Sequence, residues 1–313
     1  MQFSFGSGIM YAIRTDLAGQ TPIRFGAMQD VSIEFDGELK ELYAQNQFAI
    51  DAARGKVKIK GKSKLAQISA LAFNTLFFGG TLTSGQVISA YNEQHTTSSS
   101  LTTGATSAAT VSGSVITFSA VPAGVAVGQL VSDNTTTGVI PDGTLVLSKT
   151  STTVTLSHAV TGGGVLSGDT INFYSPVVSA NSADYMADLG TYFSNSGTLI
   201  KYTIGAPSAG EYTEVGGSYF FGDLNVSVLL NYLYTVVTGN TLSVGNPFMG
   251  TTPRFMGVFS NTYEGQSVVM QLFACVATKL TMPTKIDDYT IPELDFSAYQ
   301  NAAGQTVDLF IST

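Results

Sequence analysis

Charge is scarce in this 313-residue chain. Asp, Glu, Lys and Arg make up only 12% of it, about half the usual share. Charge is the ordinary guard against association, so much of the surface is expected to be covered by other copies of the chain. Tryptophan is absent, and there are one cysteine and two histidines. A single cysteine excludes an internal disulfide and a cysteine-built zinc site. Cys275 lies in the apolar run 272–277 and reads as a small buried hydrophobe. His95 and His158 sit in Ser/Thr-rich stretches without a second His or Cys at metal-ligand spacing. No run approaches the roughly 20 apolar residues of a membrane span. The N-terminus has neither a basic n-region nor a continuous apolar h-region, so no membrane partner and no standard export signal are expected.

Catalytic motifs are also missing. No Gly-x-Ser-x-Gly elbow occurs. Gly55-Lys56 and Gly61-Lys62 lack the glycine spacing of a phosphate-binding loop. Gly6-Ser7-Gly8 reads as a turn, and Asp287-Asp288 lacks the repeated-aspartate pattern of a calcium loop. The expectation is a chain with no catalytic, metal or cofactor site, and not an enzyme. The net charge of −8 argues against non-specific nucleic-acid binding, which needs a basic footprint. It suits a surface that DNA passes without sticking.

Residues 29–62 carry the most information. Glu34, Asp36 and Glu38 alternate with Ile33, Phe35 and Leu39. Lys56, Lys58 and Lys60 alternate with Val57 and Ile59. Successive strand residues face opposite sides, so each segment reads as a strand with one charged and one apolar face. Opposite charges across strands contribute on the order of 0.2–1 kcal/mol per pair. The economical arrangement is an antiparallel pair, acid facing base. Residues 42–53, with Gln45-Asn46-Gln47, are expected to form its distal loop. Six of the fourteen Lys and Arg fall between Arg54 and Lys64. A nucleic-acid strip would want aromatic stacking partners and a basic domain, so the run reads first as a salt-bridged strand face. An acidic patch on a neighbouring subunit is the next reading.

The first 26 residues read as an arm or one or two strands. Residues 63–78 read as the one helix, capped by Ser63, with Leu65, Ile68, Leu71, Ala72 and Leu76 at helical spacing and Gly79-Gly80 ending it. Phe73, Phe77 and Phe78 read as core. From Thr96 to Ser175 only Asp133, Asp142, Lys149 and Asp169 are charged. Strand-sized apolar groups recur there at 114–118, 125–131, 144–147, 153–156 and 170–173, separated by turn residues, as in a small all-β domain. Beyond it, 224–236 and 268–280 read as long strands, and 287–304 as an extended arm. The expected organisation is a mainly β body, a sandwich or barrel with one flanking helix, from residues 1–95 and 176–313. A small β domain, 96–175, is inserted in it.

Several segments carry a resemblance. They are Gly37-Glu38-Leu39-Lys40-Glu41-Leu42-Tyr43, Ala53-Arg54-Gly55-Lys56, Leu76-Phe77-Phe78-Gly79, Gly210-Glu211-Tyr212-Thr213 and Gly217-Ser218-Tyr219-Phe220-Phe221. Further on come Asn231-Tyr232-Leu233-Tyr234-Thr235, 277–285 and 288–296. Together these resemble the tail tube (major tail) proteins of long-tailed bacteriophages over about 1–95 and 176–310. The resemblance implies hexameric rings stacked into a hollow tube with an electronegative lumen through which DNA is ejected. It implies a virion location, synthesis in the host cytoplasm, and contacts with other tail proteins. On that reading Glu34, Asp36, Glu38, Lys56, Lys58 and Lys60 are candidates for the lumen. Phe3, Phe5, Tyr43, Gln45, Asn46, Gln47, Phe48, Tyr289, Ile291 and Phe296 are candidates for contacts between subunits or rings. The inserted segment is expected on the outside of the tube, where it would not block DNA. Another virion component, capsid or decoration, is the alternative, followed by a carbohydrate-binding adhesin.

Overall fold

A computed structural model describes residues 6, 8–45, 47–67, 69–110, 112–136, 139–284 and 286–312. Phe3, Phe5, Asn46 and Ile68 lie outside the described residues. The strands, in chain order, are β1 (Ile9–Arg14), β2 (Ile23–Arg24), β3 (Met28–Tyr43), β4 (Ala49–Leu65), β5 (Thr81–Thr96), β6 (Thr102–Ala108) and β7 (Gly113–Phe118). There follow β8 (Leu130–Asp133), β9 (Val146–Lys149), β10 (Thr153–Val160), β11 (Thr170–Tyr174), β12 (Val177–Val178), β13 (Tyr185–Phe193) and β14 (Lys201–Tyr202). The last are β15 (Glu211–Val215), β16 (Ser218–Phe221), β17 (Ser227–Ser243), β18 (Phe255–Tyr263), β19 (Gln266–Thr281), β20 (Glu293–Tyr299) and β21 (Val307–Ile311). The fold is mainly β. Its α-helix, α1 (Ala70–Phe73), runs into a π turn at Asn74–Phe78.

The chain divides into two compact units, residues 1–84 with 240–313, and residues 85–239. Segments 85–95 and 176–239, grouped above with the chain's two ends, fall here in the same unit as 96–175. In the first unit the strands form one sheet in the order β2-β1-β18-β19-β20-β4-β3, and β21 also pairs with β19. One face carries the core: Met10, Ala12, Phe25, Ile59, Leu65, Phe255, Leu272, Cys275, Leu294 and Phe296. Ala72, Phe73 and Leu76 from the helical turns pack against it.

Two expectations for this unit are corrected. The helix does not begin at Ser63. Residues 61–65 continue β4, with Gly61, Ser63 and Leu65 buried and Lys60 and Lys62 exposed, so the period of two runs through the first three residues of the expected helix. Ser69 is the cap, its Oγ accepting the Ala72 N–H at 3.3 Å, and Leu71 points to solvent. Nor is 287–304 an arm throughout: β20 lies between β19 and β4. Its Leu294 and Phe296 enter the core because Glu-Leu-Asp-Phe alternates as an inner strand must.

In the second unit, residues 102–174 make a six-stranded sheet in the order β8-β11-β6-β7-β10-β9. Ile116, Phe118, Val154, Leu156, Ile171 and Phe173 build its own core. Residues 125–129, expected in a strand, precede β8 instead, and β6 is an additional strand. Sheets β12-β16-β15-β14 and β13-β17-β5 complete the unit. They enclose a tyrosine-rich core in which the Tyr212 and Tyr219 hydroxyls donate to Asp188 and Tyr232 donates to Glu93. Leu130 and Tyr174 of the six-stranded sheet pack on Phe220 of β16.

Candidate assembly surface

The hairpin β3–β4 is the most distinctive surface of the first unit. Its strands are antiparallel, with Asp30 opposite Lys64, Glu34 opposite Lys60 and Asp36 opposite Lys58. Acid therefore faces base. The pattern continues across the sheet: in β20, Glu293 is opposite Lys64 and Asp295 opposite Lys62, and Lys279 of β19 is opposite Asp295. Four adjacent strands alternate acid, base, acid, base. Lys62 Nζ lies 2.8 Å from Glu293, Lys64 3.7 Å from Asp30 and Lys60 3.9 Å from Asp36. Asp30, Glu34, Asp36, Glu293 and Asp295 stand against Lys58, Lys60, Lys62, Lys64 and Lys279, so this face is nearly neutral.

Of the six residues proposed for a lumen, Glu34, Asp36, Lys58 and Lys60 are in direct register. Glu38 falls in a bulge between the pairs Gly37–Val57 and Leu39–Arg54, which leaves it and Lys56 out of direct register. Lys62, Lys64, Glu293, Asp295 and Lys279 were not among the candidates. The uninterrupted Lys-x-Lys spacing to Lys64 marks the first two.

The ladder is exposed, so each pair contributes little. Lys62 holds the Glu293 carboxylate below the usual carboxylate range, chiefly by a hydrogen bond. A depressed carboxylate contributes stability above its unfolded pKa, about 4.3 for Glu, and loses it as pH falls through the folded value. Replacing Glu293 by Gln is expected to leave the thermal midpoint at pH 7 nearly unchanged and to flatten its fall between pH 5 and pH 3. A midpoint-against-pH series checks this.

Beyond Ile59 the hairpin leaves the sheet. β20 pairs with β4 from Ile59 to Lys64, so among the described residues the part between Asp36 and Lys58 has only its own two strands. At about 3.4 Å per residue it reaches some 25 Å past its last neighbour. The connection is shorter than expected, 44–48, because the strands continue to Tyr43 and resume at Ala49. An isolated two-stranded ribbon is marginal in water, and this one bares apolar side chains beside its charged ones. Phe35, Leu39, Leu42, Tyr43, Phe48, Ile50 and Val57 are all exposed, Phe48 at 85%. Soluble monomers rarely leave such a patch bare.

The remaining contact candidates separate by burial. Gln45, Gln47 and Phe48 are exposed at the hairpin tip. Tyr289 is exposed and Ile291 half-buried. Phe296 is 1% exposed and packs edge-on against Phe255. It is a core residue, which corrects its place among the contact residues. Composition alone did not single out Phe248, Met249 and Ile286, which are fully exposed in connecting segments.

Among the described residues no cluster of three or more His, Cys, Asp or Glu is arranged to hold a metal ion. None of the described helices is long and apolar enough to cross a membrane. No protein-family model matches the chain, and no curated protein matches it in sequence.

Proposed function

We propose that the chain is a structural virion protein that assembles into stacked hexameric rings, the tail tube of a long-tailed bacteriophage and a conduit for DNA ejection. The observation that carries the reading is the unsupported ribbon of β3–β4 with its exposed apolar side chains. Its bare surface calls for a cover, and another copy of the same chain supplies one at every repeat of a head-to-tail contact. A ring closes when such a contact repeats through a rotation that returns to its start. The charged ladder is proposed to face the channel. There its paired lysines offer passing DNA little to grip, since unpaired basic groups would bind phosphate by releasing counterions. Outside 96–175 the chain carries nineteen acids and thirteen bases, so each ring repeats a negative balance. The partners of this reading are other copies, other tail proteins and DNA passing without specific binding. The protein is made in the host cytoplasm and resides in the virion.

Residues 96–175 are proposed as a decoration dispensable for ring closure. Leu130 and Tyr174 cover Phe220, so removing the segment bares that ring. Replacing 97–175 by a short Gly/Ser linker together with Phe220→Ser is expected to leave assembly intact. Loss of assembly with the remainder folded would make the segment an interface. Negative-stain microscopy of the purified full chain tests the main proposal. Rings or tubes with a central hole support it, and a uniformly monomeric preparation overturns it.

A further inference from the structure

We propose that a cleft on the sheet β13-β17-β5 binds a neutral sugar, one pyranose ring lying against Tyr91. This inference is independent of the tail-tube reading. The cleft is lined by Tyr91 and Asn92 of β5, Leu189 and Tyr192 of β13, and Leu229 and Asn231 of β17. Its volume, about 490 Å³, falls within the range of small-molecule sites. Val228, Leu230 and Tyr232 of β17 enter the tyrosine-rich core. Leu229 and Asn231 alternate with them and so face the opposite side of the sheet.

A regular three-stranded sheet would not make this cleft. Tyr91 and Asn92 are consecutive, and consecutive strand residues point to opposite faces. Both line the cleft because the backbone at Asn92 is left-handed, with φ 56°. β13 is irregular too. Asp188 is opposite Tyr232 and Thr191 opposite Leu230, so three steps along β13 match two along β17. That is a bulge, and Gly190 within it has φ 96°. One buried side chain holds both irregularities. Asn231, 5% exposed, accepts the Asn92 N–H on Oδ1 at 2.8 Å and donates from Nδ2 to the Gly190 carbonyl at 3.0 Å. Bulges concentrate beside functional sites, where they re-aim side chains. Left-handed residues other than glycine persist only where their surroundings fix them, and they gather at ligand clamps.

The lining selects the class of ligand. Among the described residues no charged side chain lines the cleft. A phosphate, carboxylate or amine entering it would lose hydration without meeting a counter-charge. Tyr91 is 80% exposed, and the negative face of an aromatic ring attracts C–H groups. Leu189 and Leu229 add apolar surface beside it. The Asn92 side-chain amide makes no hydrogen bond among the described residues, which leaves it both donors and an acceptor to offer. The Tyr91 and Tyr192 hydroxyls can also donate and accept. A pyranose matches this set, with an apolar C–H face for the ring and a rim of hydroxyls for the amide and phenols. Asn231 is a positioning residue, since its amide is spent on the two bulges.

The test uses the full chain and saturation-transfer-difference NMR, which reads sugar binding whether or not the chain assembles. The probes are the methyl β-glycosides of glucose, galactose and N-acetylglucosamine. At least one is expected to receive saturation, strongest at the C–H groups of one ring face. Tyr91→Ala, at an exposed position that leaves the fold intact, is expected to weaken binding about tenfold, and Tyr91→Phe to retain most of it. Tyr192→Ala is expected to weaken it as well, and Tyr11→Ala, in the other unit, to leave it unchanged. Absence of saturation for all three glycosides overturns the proposal, as does saturation that Tyr91→Ala and Tyr192→Ala leave untouched. A change of oligomeric state in Tyr91→Ala without any sugar signal also overturns it, since the cleft would then be a contact between copies.

Discussion

Deleting residues 42–53 is expected to abolish assembly while leaving both units of the chain folded. The deletion removes Leu42, Tyr43, Phe48 and Ile50, the exposed apolar side chains at the end of the ribbon. It leaves Leu39 and Arg54, cross-strand partners, joined through Lys40 and Glu41. Two residues are the commonest length for a hairpin connection, so the shortened strands can close without disturbing the paired stretch from Met28 to Asp36. Because the removed segment touches no buried core, stability should change within the ~0.5 kcal/mol usual for surface changes. Sedimentation velocity and circular dichroism of the deleted chain check the two halves of this expectation. The double substitution Leu42→Asp with Phe48→Asp should act the same way, since it keeps the strand length and removes only the apolar cover. A deleted chain that still forms normal rings or tubes would show that the ribbon is not the contact.

Gly61→Val is expected to destabilise the first unit's sheet strongly. Gly61 lies between Ile33 of β3 and Phe296 of β20, facing the core. A Cβ at this position would stand 2.0 Å from Phe296 Cζ, far inside any real contact. The ring cannot withdraw easily, because it packs on Phe255 with ring centres 6.0 Å apart. Overpacking in a dense core typically costs about 1–3 kcal/mol, and a clash this deep, fixed by strands on both sides, should reach or exceed the top of that range. Phe296→Ala tests the same contact from the other side by leaving a cavity, at about 3–5 kcal/mol. Urea titrations read both effects. Gly61→Ala combined with Phe296→Leu should recover part of the loss, and an unchanged midpoint in Gly61→Val would contradict the placement of β20 beside β4.

What the sequence made legible was whatever repeats locally. Glu34, Asp36, Lys58 and Lys60 announce two strands and their charged faces by alternation alone, and the register then sets acid opposite base. The same alternation, followed two lysines further, places Ser63 inside a strand. It was missed because Ser63 also makes a plausible helix cap and Leu65, Ala72 and Leu76 fit helical spacing. Tertiary pairing with Val31 and Leu294 decides the matter. The ladder's other half was not legible, since nothing near Lys62 points to Glu293, a partner from the far end of the chain. The division between the units was hidden for a related reason. It falls inside β5 and β17, at Gly85 and Gly239, which adopt positive φ, but single glycines within strand-like runs do not by themselves announce a boundary. The abrupt loss of charge near Thr96 marked instead the segment that builds its own six-stranded sheet.

The most direct test of the account is a cryo-electron-microscopy reconstruction of whatever the purified full chain assembles into. The account predicts a sixfold ring with an open channel, the β3–β4 ribbon tip seated on a neighbouring copy, and the face bearing Glu34, Asp36, Lys58, Lys60 and Lys62 turned toward that channel. An assembly without a central hole would contradict it, as would a ring with the charged ladder on its outer wall and the ribbon tip bare in solvent.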